Sequence, residues 1–200
     1  MRSSKSSGKS KAKRSYRLGR RAEQQEETRR RIVEAAVALH GSVGPALTTV
    51  SMVAERAGVQ RHTFYAYFPD ERSLFLACSG LAMERDPLPD AQPWRALADP
   101  GERLTAGFRA LYGWYKRNAD LAACVLRDSE SHDLTRDMCE LRMGPSLRSY
   151  HDILGASVGR DKSAMLLLML SFHSWRTLVR DAKLGQEAAV RAAVHAVMRG

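Results

Sequence analysis

Residues 48–68 read TTVSMVAERAGVQRHTFYAYF, and this stretch decides the fold of the first part of the chain. Apolar residues recur there at the spacing of one helix face, at Val50, Val53, Ala54 and Ala57. Gly58 follows them, where a helix C-terminus favours glycine. A second, very short helix is predicted at about 61–67. Two helices joined by a tight turn of this kind form a helix-turn-helix pattern.

The second of these helices is predicted to present a polar and aromatic surface. Phe64 would lie on its inner face, whereas Arg61, His62, Thr63, Tyr65 and Tyr67 would face outward. A helix this short is not stable alone, so it must be held by its neighbours. Its polar side chains suit the major groove of DNA, where N-terminal residues reach base edges and hydroxyl groups reach phosphates.

The flanking sequence predicts further helices on both sides of this pattern. A helix with an apolar face runs from about Thr28 and ends at Gly44-Pro45. Thr48 is the predicted N-cap of the next helix, because a side-chain oxygen there accepts a hydrogen bond from the first turn. Asp70 is predicted to cap a fourth helix, which starts at Glu71.

The remainder of the chain is also predicted to be helical after a proline-rich loop at 86–93. The predicted helices lie around 104–115, at 121–126, at 132–158 with a break or kink near Gly144-Pro145, at 164–180 and at 186–198. No segment has the alternating pattern of a strand. The sequence therefore predicts an all-α protein of about nine helices.

Residues 28–82 resemble the DNA-binding region of the tetracycline-repressor (TetR/AcrR) family of bacterial transcriptional regulators. Residues 48–59 resemble the second helix and turn of that family, residues 61–68 its recognition helix, and Leu74-Phe75 the start of its fourth helix. The resemblance implies phosphate contacts from Thr49, Tyr65 and Tyr67, and base or phosphate contacts from Arg61, His62 and Thr63. Thr48 and Gln60 complete the expected DNA-binding set. Arg61 is expected to read guanine, because its fork matches the O6/N7 pair.

Four positions depart from the family pattern. His62 stands where a small residue is common, and Gln60 where a serine cap is common. Glu71 replaces a lysine that often contacts phosphate. His40 lies in the first helix where an aromatic or aliphatic residue is typical.

The charge of the chain is concentrated at its beginning. Residues 1–22 contain nine Lys/Arg and no acid, so they supply +9 of the formal net charge of +10. Such a segment lacks the apolar side chains that would offset its ordering entropy, and we predict a basic arm that is disordered when free. A basic arm attracts polyanions, so it would bind DNA phosphates, and it could enter a minor groove. A solubilising leader without specific contacts is the alternative.

The chain is predicted to have three parts: the basic arm at 1–22 and, as the resemblance implies, a helix-turn-helix DNA-binding domain at 23–75 with a linking helix at 71–85 and an effector-binding and dimerisation domain at 86–200. Small and apolar residues on the last two predicted helices favour a four-helix dimer interface. The predicted interface residues are Leu168, Phe172, Trp175, Val179, Ala189, Ala193, Ala196 and Val197. Candidate effector-binding residues are Phe108, Tyr112, Tyr115, Met138, Met143, His151 and His173, which would suit a lipophilic small molecule.

Other classes of protein and site have little support. The longest apolar run, 164–170, is far shorter than the roughly 20 residues of a membrane span. The three cysteines, Cys78, Cys124 and Cys139, lack the spacing of a zinc site or a disulfide framework, and free thiols in the cytoplasm are expected. No catalytic motif and no cofactor motif is present, and a metal site using His132, His151 or His173 has no support.

We therefore expect a cytoplasmic, nucleoid-associated homodimer that represses transcription at an inverted-repeat DNA operator and responds to a small molecule. A non-specific DNA-coating protein of the nucleoid type is the main alternative. A small-molecule-binding protein or an enzyme is a further alternative.

Overall fold

The structure is a computed structural model that describes residues 7–156, 158–159 and 162–199, with side chains from residue 19 onward. These residues form ten α-helices and no strand, which confirms the all-α prediction. The helices are α1 (Ser7–Ser42), α2 (Val50–Ala57), α3 (Arg61–Tyr67), α4 (Glu71–Arg85), α5 (Pro100–Arg117), α6 (Ala119–Ser129), α7 (Asp133–Gly155), α8 (Ser163–Leu170), α9 (Phe172–Arg176) and α10 (Gln186–Arg199). Short 3₁₀ helices at Pro45–Leu47 and Gln92–Ala96, and a π-helical turn at Thr177–Asp181, complete them.

Helices α1 to α4 enclose the first of two hydrophobic cores. Ile32 and Ala36 of α1 meet Val53 of α2, Phe64 of α3 and Leu74 of α4 in this core, and all five are at least 96% buried. The core therefore collects the apolar residues that the helical spacing of the sequence places on inner faces.

The turn between α2 and α3 depends on Gly58, whose φ of 64° lies in the left-handed region. The N–H of Gly58 donates to the carbonyl of Glu55, and the N–H of Val59 donates to the carbonyl of Ala54. This pair of hydrogen bonds is a Schellman motif, which satisfies the last carbonyls of a helix and turns the chain. Arg31 of α1 adds a hydrogen bond to the Ala57 carbonyl at 3.1 Å.

The caps of α2 and α4 differ in how well the sequence predicted them. Asp70 caps α4 as predicted, by accepting a hydrogen bond from the N–H of Ser73 at 2.7 Å. The cap of α2 is Thr49, which accepts from the N–H of Met52, and the prediction of Thr48 is wrong. Thr48 instead donates its hydroxyl hydrogen to the carbonyl of Gly44 at 2.7 Å.

Helices α5 to α10 enclose the second core, which is rich in aromatic residues. Tyr112 and Tyr115 of α5 donate their hydroxyl hydrogens to the carbonyls of Met169 and Leu170, at 2.9 and 2.8 Å. These carbonyls belong to the last turn of α8, which has no helical partners for them. The two tyrosines thus fasten the end of α8 to α5.

The apolar segment predicted as one helix at 164–180 is broken at Ser171. Its side chain accepts a hydrogen bond from the N–H of Ser174 and caps α9, so a new helix starts in another direction. Phe172 and Trp175 consequently turn toward Tyr115, with ring centroids 5.4 and 6.0 Å from it.

Most of the residues predicted for the dimer interface are buried within the subunit. Five of its residues are buried inside their own subunit, namely Phe172, Trp175, Ala189, Ala193 and Val197. Val179 and Ala196 are half-buried, and Leu168 alone of the predicted set is exposed. These five side chains are enclosed within their own subunit, so their burial does not support a direct contact with a second subunit, and the interface itself stays a prediction.

The structure also differs from the prediction of a disordered arm, because α1 begins at Ser7. Residues 7–22 extend an existing helix, and extension avoids the cost of nucleation, which a composition argument does not include. Residues 1–6 of the predicted arm lie outside the described residues. Among the described helices, none combines the length and the apolar character needed to cross a membrane.

Candidate nucleic-acid interface and effector cavity

Helix α3 is anchored by one side chain and exposes most of the others. Phe64 is buried in the first core at 2% exposure, and its packing against the other residues of that core fixes the orientation of α3. Arg61 and His62 at the first turn are exposed, and Tyr65 is 46% exposed. Within the part of the chain that the structure describes, these three side chains have no hydrogen-bond partner. Their donors and acceptors are therefore available to an external partner.

The other predicted DNA-binding residues lie around this face with different degrees of exposure. Thr49 and Gln60 are exposed and precede the first turns of α2 and α3. Thr63 and Tyr67 are half-buried, and Tyr67 packs partly on the first core. Thr48 is half-buried with its hydroxyl hydrogen already donated to Gly44, which leaves it the fewest free groups.

A cavity of about 90 Å³ lies between the two cores. Its walls come from α1 and α4 on one side and from α5, α6 and α7 on the other, and they are mostly apolar. The principal lining residues are Val37, His40, Phe75, Cys78, Met83, Trp114, Leu121, Val125, Met138, Cys139, Arg142 and Met143. The cavity is smaller than the roughly 300 Å³ at which sites for larger small molecules begin.

His40 is the polar group of this cavity that has no complete set of partners. Its Nδ1 lies 3.6 Å from Sγ of Cys78, and its ring stacks at a tilt on Phe75, 5.0 Å between centroids. Its Nε2 is buried and has no hydrogen-bond partner among the described residues. Burial lowers the pKa of His40 to about 4, against the opposing charge of Asp128, so the ring is neutral at physiological pH.

The cavity thiols are also uncharged. Burial raises the pKa of Cys78 to about 12 and that of Cys139 to about 11. Because the thiolate is the reactive form, neither side chain is suited to covalent capture of a ligand at neutral pH. All three cysteines are free. The cavity therefore offers non-covalent contacts.

Two of the seven predicted effector-binding residues, Met138 and Met143, line this cavity. Phe108, Tyr112 and Tyr115 instead fill the second core, and both tyrosine hydroxyls are already bonded to α8. His151 lies beside Ser163, with Nε2 and Oγ 3.0 Å apart, and His173 is exposed on α9. These five residues are not brought to the cavity.

Sequence reasoning missed the wall that α1 and α4 contribute. It sought the pocket only beyond residue 104, yet His40, Phe75 and Cys78 come from earlier in the chain. One signal was present, because His40 stands on the apolar face of α1 where the family has an apolar or aromatic residue. No group of His, Cys, Asp and Glu side chains among the described residues could hold a metal ion.

The two halves are joined by a buried carboxylate next to the cavity. Asp128, at the end of α6, accepts hydrogen bonds from the N–H of Ala46 at 2.9 Å and from Nε of Arg127 at 2.7 Å. Burial would raise the pKa of Asp128, but these two hydrogen bonds together with the positive charge of Arg127 outweigh it and hold the pKa below its usual value. Arg127 also donates to the carbonyl of Val43 at 3.0 Å. Asp128 and Arg127 thus fasten α6 to the segment between α1 and α2.

A close approach at this joint requires Gly44, whose φ is 103°. A Cβ atom at this position would collide with Arg127 and Asp128. A second link joins α7 to α4, where Arg142 donates to Oγ of Ser79 at 3.1 Å and to the carbonyl of Leu76 at 2.9 Å.

Comparisons with known proteins agree with this arrangement. Residues 32–78 match the family model described as bacterial regulatory proteins, tetR family. No curated protein sequence matches the chain.

Solved structures share the fold over most of the chain. FadR from Bacillus halodurans, described as a fatty acid degradation regulator, is 20% identical with a TM-score of 0.61, covering 86% of this chain and 95% of its own. PfmR from Thermus thermophilus, a TetR family transcriptional regulator, is 22% identical with a TM-score of 0.59, covering 84% and 97%. A TetR-like regulator from Rhodococcus sp. RHA1 is 17% identical with a TM-score of 0.62, covering 86% and 94%. At these identities the likeness is one of fold.

Proposed function

We propose, from the match of residues 32–78 to the family model of bacterial regulatory proteins, tetR family, that the chain is a homodimeric repressor that binds an inverted-repeat operator and is released by a small molecule. The family match supports the coarser part of the proposal, a DNA-binding regulator. In this proposal residues 23–75 form the DNA-binding domain, residues 71–85 the linking helix, and residues 86–200 the effector-binding and dimerisation domain. The operator, the repression and the effector response are the proposed parts.

The observation that carries the proposal is the unpaired polar face of α3. Arg61 and His62 lie at the N-terminal turn, which in a helix-turn-helix protein points at base edges. Thr49 and Tyr65 flank this turn and would position the helix through phosphate contacts. If α3 served only to complete the first core, the exposed side chains of Arg61, His62 and Tyr65 would have no role.

A homodimer is proposed from the remaining exposed apolar residues of the second half. Leu167 and Leu168 of α8 are 63% and 53% exposed, and Ala164 lies exposed one turn earlier. Neighbouring exposed leucines on one helix offer an apolar surface that a second subunit would cover. A two-fold interface that placed both copies of α3 on one face of the dimer would require an inverted repeat.

The cavity between the cores is the proposed effector site. A ligand there touches α1 and α4 of the DNA-binding part and α6 and α7 of the other part, so its binding depends on their relative position. A ligand shifts an equilibrium only if it prefers one arrangement. FadR is described as a regulator of fatty acid degradation, but a long acyl chain would exceed 90 Å³ unless the helices separated. We propose a small lipophilic effector.

Selection of binding sites from random duplex DNA at physiological salt tests this function. We expect an inverted repeat whose half-sites lie about one helical turn apart or somewhat more. The same protein with Arg61→Ala should yield a repeat with one degenerate base pair in each half-site. Recovery of DNA without a consensus would contradict a specific regulator.

The basic arm favours one second candidate, a protein that coats DNA without sequence preference. Deletion of residues 1–22 separates the two functions. For a specific regulator, the consensus sequence should be unchanged, while the affinity for all sequences should fall. The slope of log K against log salt should become less steep by about 0.9 for each phosphate that the arm neutralises in the full chain. For a coating protein, the deletion should abolish binding altogether. An unchanged slope would show that the arm does not bind phosphates.

A further inference from the structure

The cavity contains an unused hydrogen-bonding atom that belongs to the DNA-binding half. His40 lies on α1 and is 5% exposed, and its Nε2 has no partner in the part of the chain that the structure describes. A buried polar atom without a partner costs free energy, and a few such atoms occur in folded proteins where a ligand or a water completes them. The rest of the cavity wall around it is largely apolar, from Phe75, Met138 and Leu121.

We propose that the effector site takes a small apolar molecule bearing one hydroxyl group, of the phenol or alcohol class, and that Nε2 of His40 binds this hydroxyl. The inference rests on the proposed effector site and adds its ligand class and its polar contact. A hydroxyl suits the site because it both donates and accepts, so it can pair with Nε2 in either tautomer of a neutral imidazole.

The neighbours of His40 support a single polar contact rather than a charged ligand. Sγ of Cys78 contacts Nδ1 of His40, and the thiol donates to the carbonyl of Phe75 at 3.4 Å. Both hydrogen-bonding functions of the thiol are therefore used within the protein. The guanidinium of Arg142 is bonded to Ser79 and Leu76, which leaves it engaged with α4. Among the lining residues, an anionic group placed against the neutral His40 would meet an opposite charge only at Arg142, whose side chain is already held against α4 by two hydrogen bonds, so it would lose its hydration for little gain.

The size of the cavity fits a compact ligand if its walls adapt slightly. An engineered cavity of about 150 Å³ binds benzene, and the present one is about 90 Å³. Met83, Met138 and Met143 line it, and methionine side chains rearrange easily because they are unbranched. A single ring or a short branched alcohol can therefore enter with side-chain movement alone.

The location of His40 explains how such a ligand would act on DNA binding. Helix α1 also carries Arg31, which caps α2 at the Ala57 carbonyl, and Ile32, which packs in the first core. A ligand bonded to α1 through its hydroxyl and pressed against α6 and α7 through its apolar part is sensitive to the distance between these helices. If the ligand binds more tightly at one distance between α1 and helices α6 and α7, it stabilises that arrangement over the other, as regulation requires.

The test compares two probes of nearly equal shape, phenol and toluene, binding to the full chain without DNA. Binding is followed by NMR of ¹³C-labelled methionine methyl groups, because Met138 and Met143 report directly on the cavity. Phenol should bind the unaltered protein about tenfold more tightly than toluene, which is the effect of one buried hydrogen bond. In His40→Phe, which keeps an aromatic ring against Phe75, toluene should bind at least as tightly as phenol.

A matched control is His195→Phe, on the exposed side of α10, which should keep the preference for phenol. Equal binding of the two probes to the unaltered protein, or a preference for phenol that survives in His40→Phe, would overturn the role of His40 and leave the cavity as the effector site. Absence of any shift at Met138 and Met143 with either probe would overturn the effector site itself.

Thermal unfolding of His40→Phe checks that the variant is folded. Cys78→Ala, which removes the contact to Nδ1 of His40 but leaves Nε2 in place, should keep the preference for phenol.

Discussion

The two hydrophobic cores differ in how far apart in the sequence their partners lie. In the first, the features that shape α2, α3 and α4 are local: Thr49, Gly58 and Asp70 each act on residues within five positions of themselves. In the second, the decisive contacts join residues more than fifty positions apart, such as Tyr115 and Leu170. Local signals can be found in a sequence, whereas distant partners become evident only from the folded chain.

The largest expected effect comes from removing one aromatic side chain from each core. Phe64→Ala and Phe108→Ala should each lower the free energy of unfolding by about 3–5 kcal/mol, because both side chains are almost fully buried. The three tryptophans all lie in the second core, so their fluorescence reports on that core alone. Urea unfolding is followed by fluorescence and by far-UV circular dichroism.

If the cores are separate units, Phe64→Ala shifts mainly the circular dichroism transition and Phe108→Ala shifts the fluorescence transition. DNA binding should be lost with Phe64→Ala at a temperature where the tryptophan emission is still native. Coincident shifts of both signals in both variants would show one cooperative unit, and would contradict the comparison.

A smaller loss is expected at the joint between the halves. Asp128→Asn removes the negative charge that Arg127 and the N–H of Ala46 bind, and should cost about 1–3 kcal/mol. The folded-state pKa of Asp128 is lowered, so its stabilisation is complete above the unfolded value near 3.8 and disappears as pH falls through the lower folded value. The difference between the two proteins should therefore be constant from pH 7 to pH 5 and vanish in strong acid.

Asp137→Asn is the matched control for this prediction. Asp137 pairs with Arg72 across α7 and α4, but both side chains are more than half exposed, so the pair contributes little. Its unfolding curve should differ from that of the unaltered protein by less than about 1 kcal/mol at any pH. An equal loss of stability in both variants would show that the buried Asp128 stabilises the protein no more than an exposed ion pair does.

The extent of successful prediction follows the same division. The bounds of α3 and the capping of α4 by Asp70 were predicted correctly, because each depends on a glycine, a proline or a capping side chain within the segment. Even there, the cap of α2 was placed one residue early, since Thr48 and Thr49 carry the same hydroxyl group and only the backbone distinguishes them.

In the second half, periodicity identified apolar faces but not the partners of those faces. The run from Ala164 to Leu170 is entirely apolar and the polar residues beyond it keep a helical pattern, so nothing marked Ser171 as the start of a new helix. The error moved Phe172 and Trp175 from the core to a supposed surface. The cavity could not be predicted either, because periodicity does not show which helices face each other. Its walls come from five helices, and His40 lies on α1, far earlier in the chain than the lining residues of α5, α6 and α7.

The exposed face of α3 gives a prediction about binding rather than folding. Arg61→Ala should weaken binding to the selected operator by about 1–3 kcal/mol and relax the preference at one base position. Arg61→Lys should retain the salt dependence while losing most of that base preference, because a lysine keeps the charge but lacks the bidentate fork. Titrations against the operator and its single-base variants measure both quantities. A base preference that is unchanged in Arg61→Ala would remove this side chain from sequence recognition.

The smallest effect on the subunit, and a decisive one for the assembly, is expected at Leu168. Its side chain is 53% exposed, so Leu168→Lys should change the stability of the isolated subunit by about 0.5 kcal/mol or less. If α8 forms the interface, two lysines would be buried near the two-fold axis, and sedimentation should show a folded monomer at micromolar concentration. Leu141→Lys, at a similarly exposed leucine on α7, should remain a dimer. A dimer that survives Leu168→Lys would place the interface elsewhere. Since Phe172 and Trp175 are already enclosed within the subunit, the remaining exposed apolar surfaces would then have to be tested in turn.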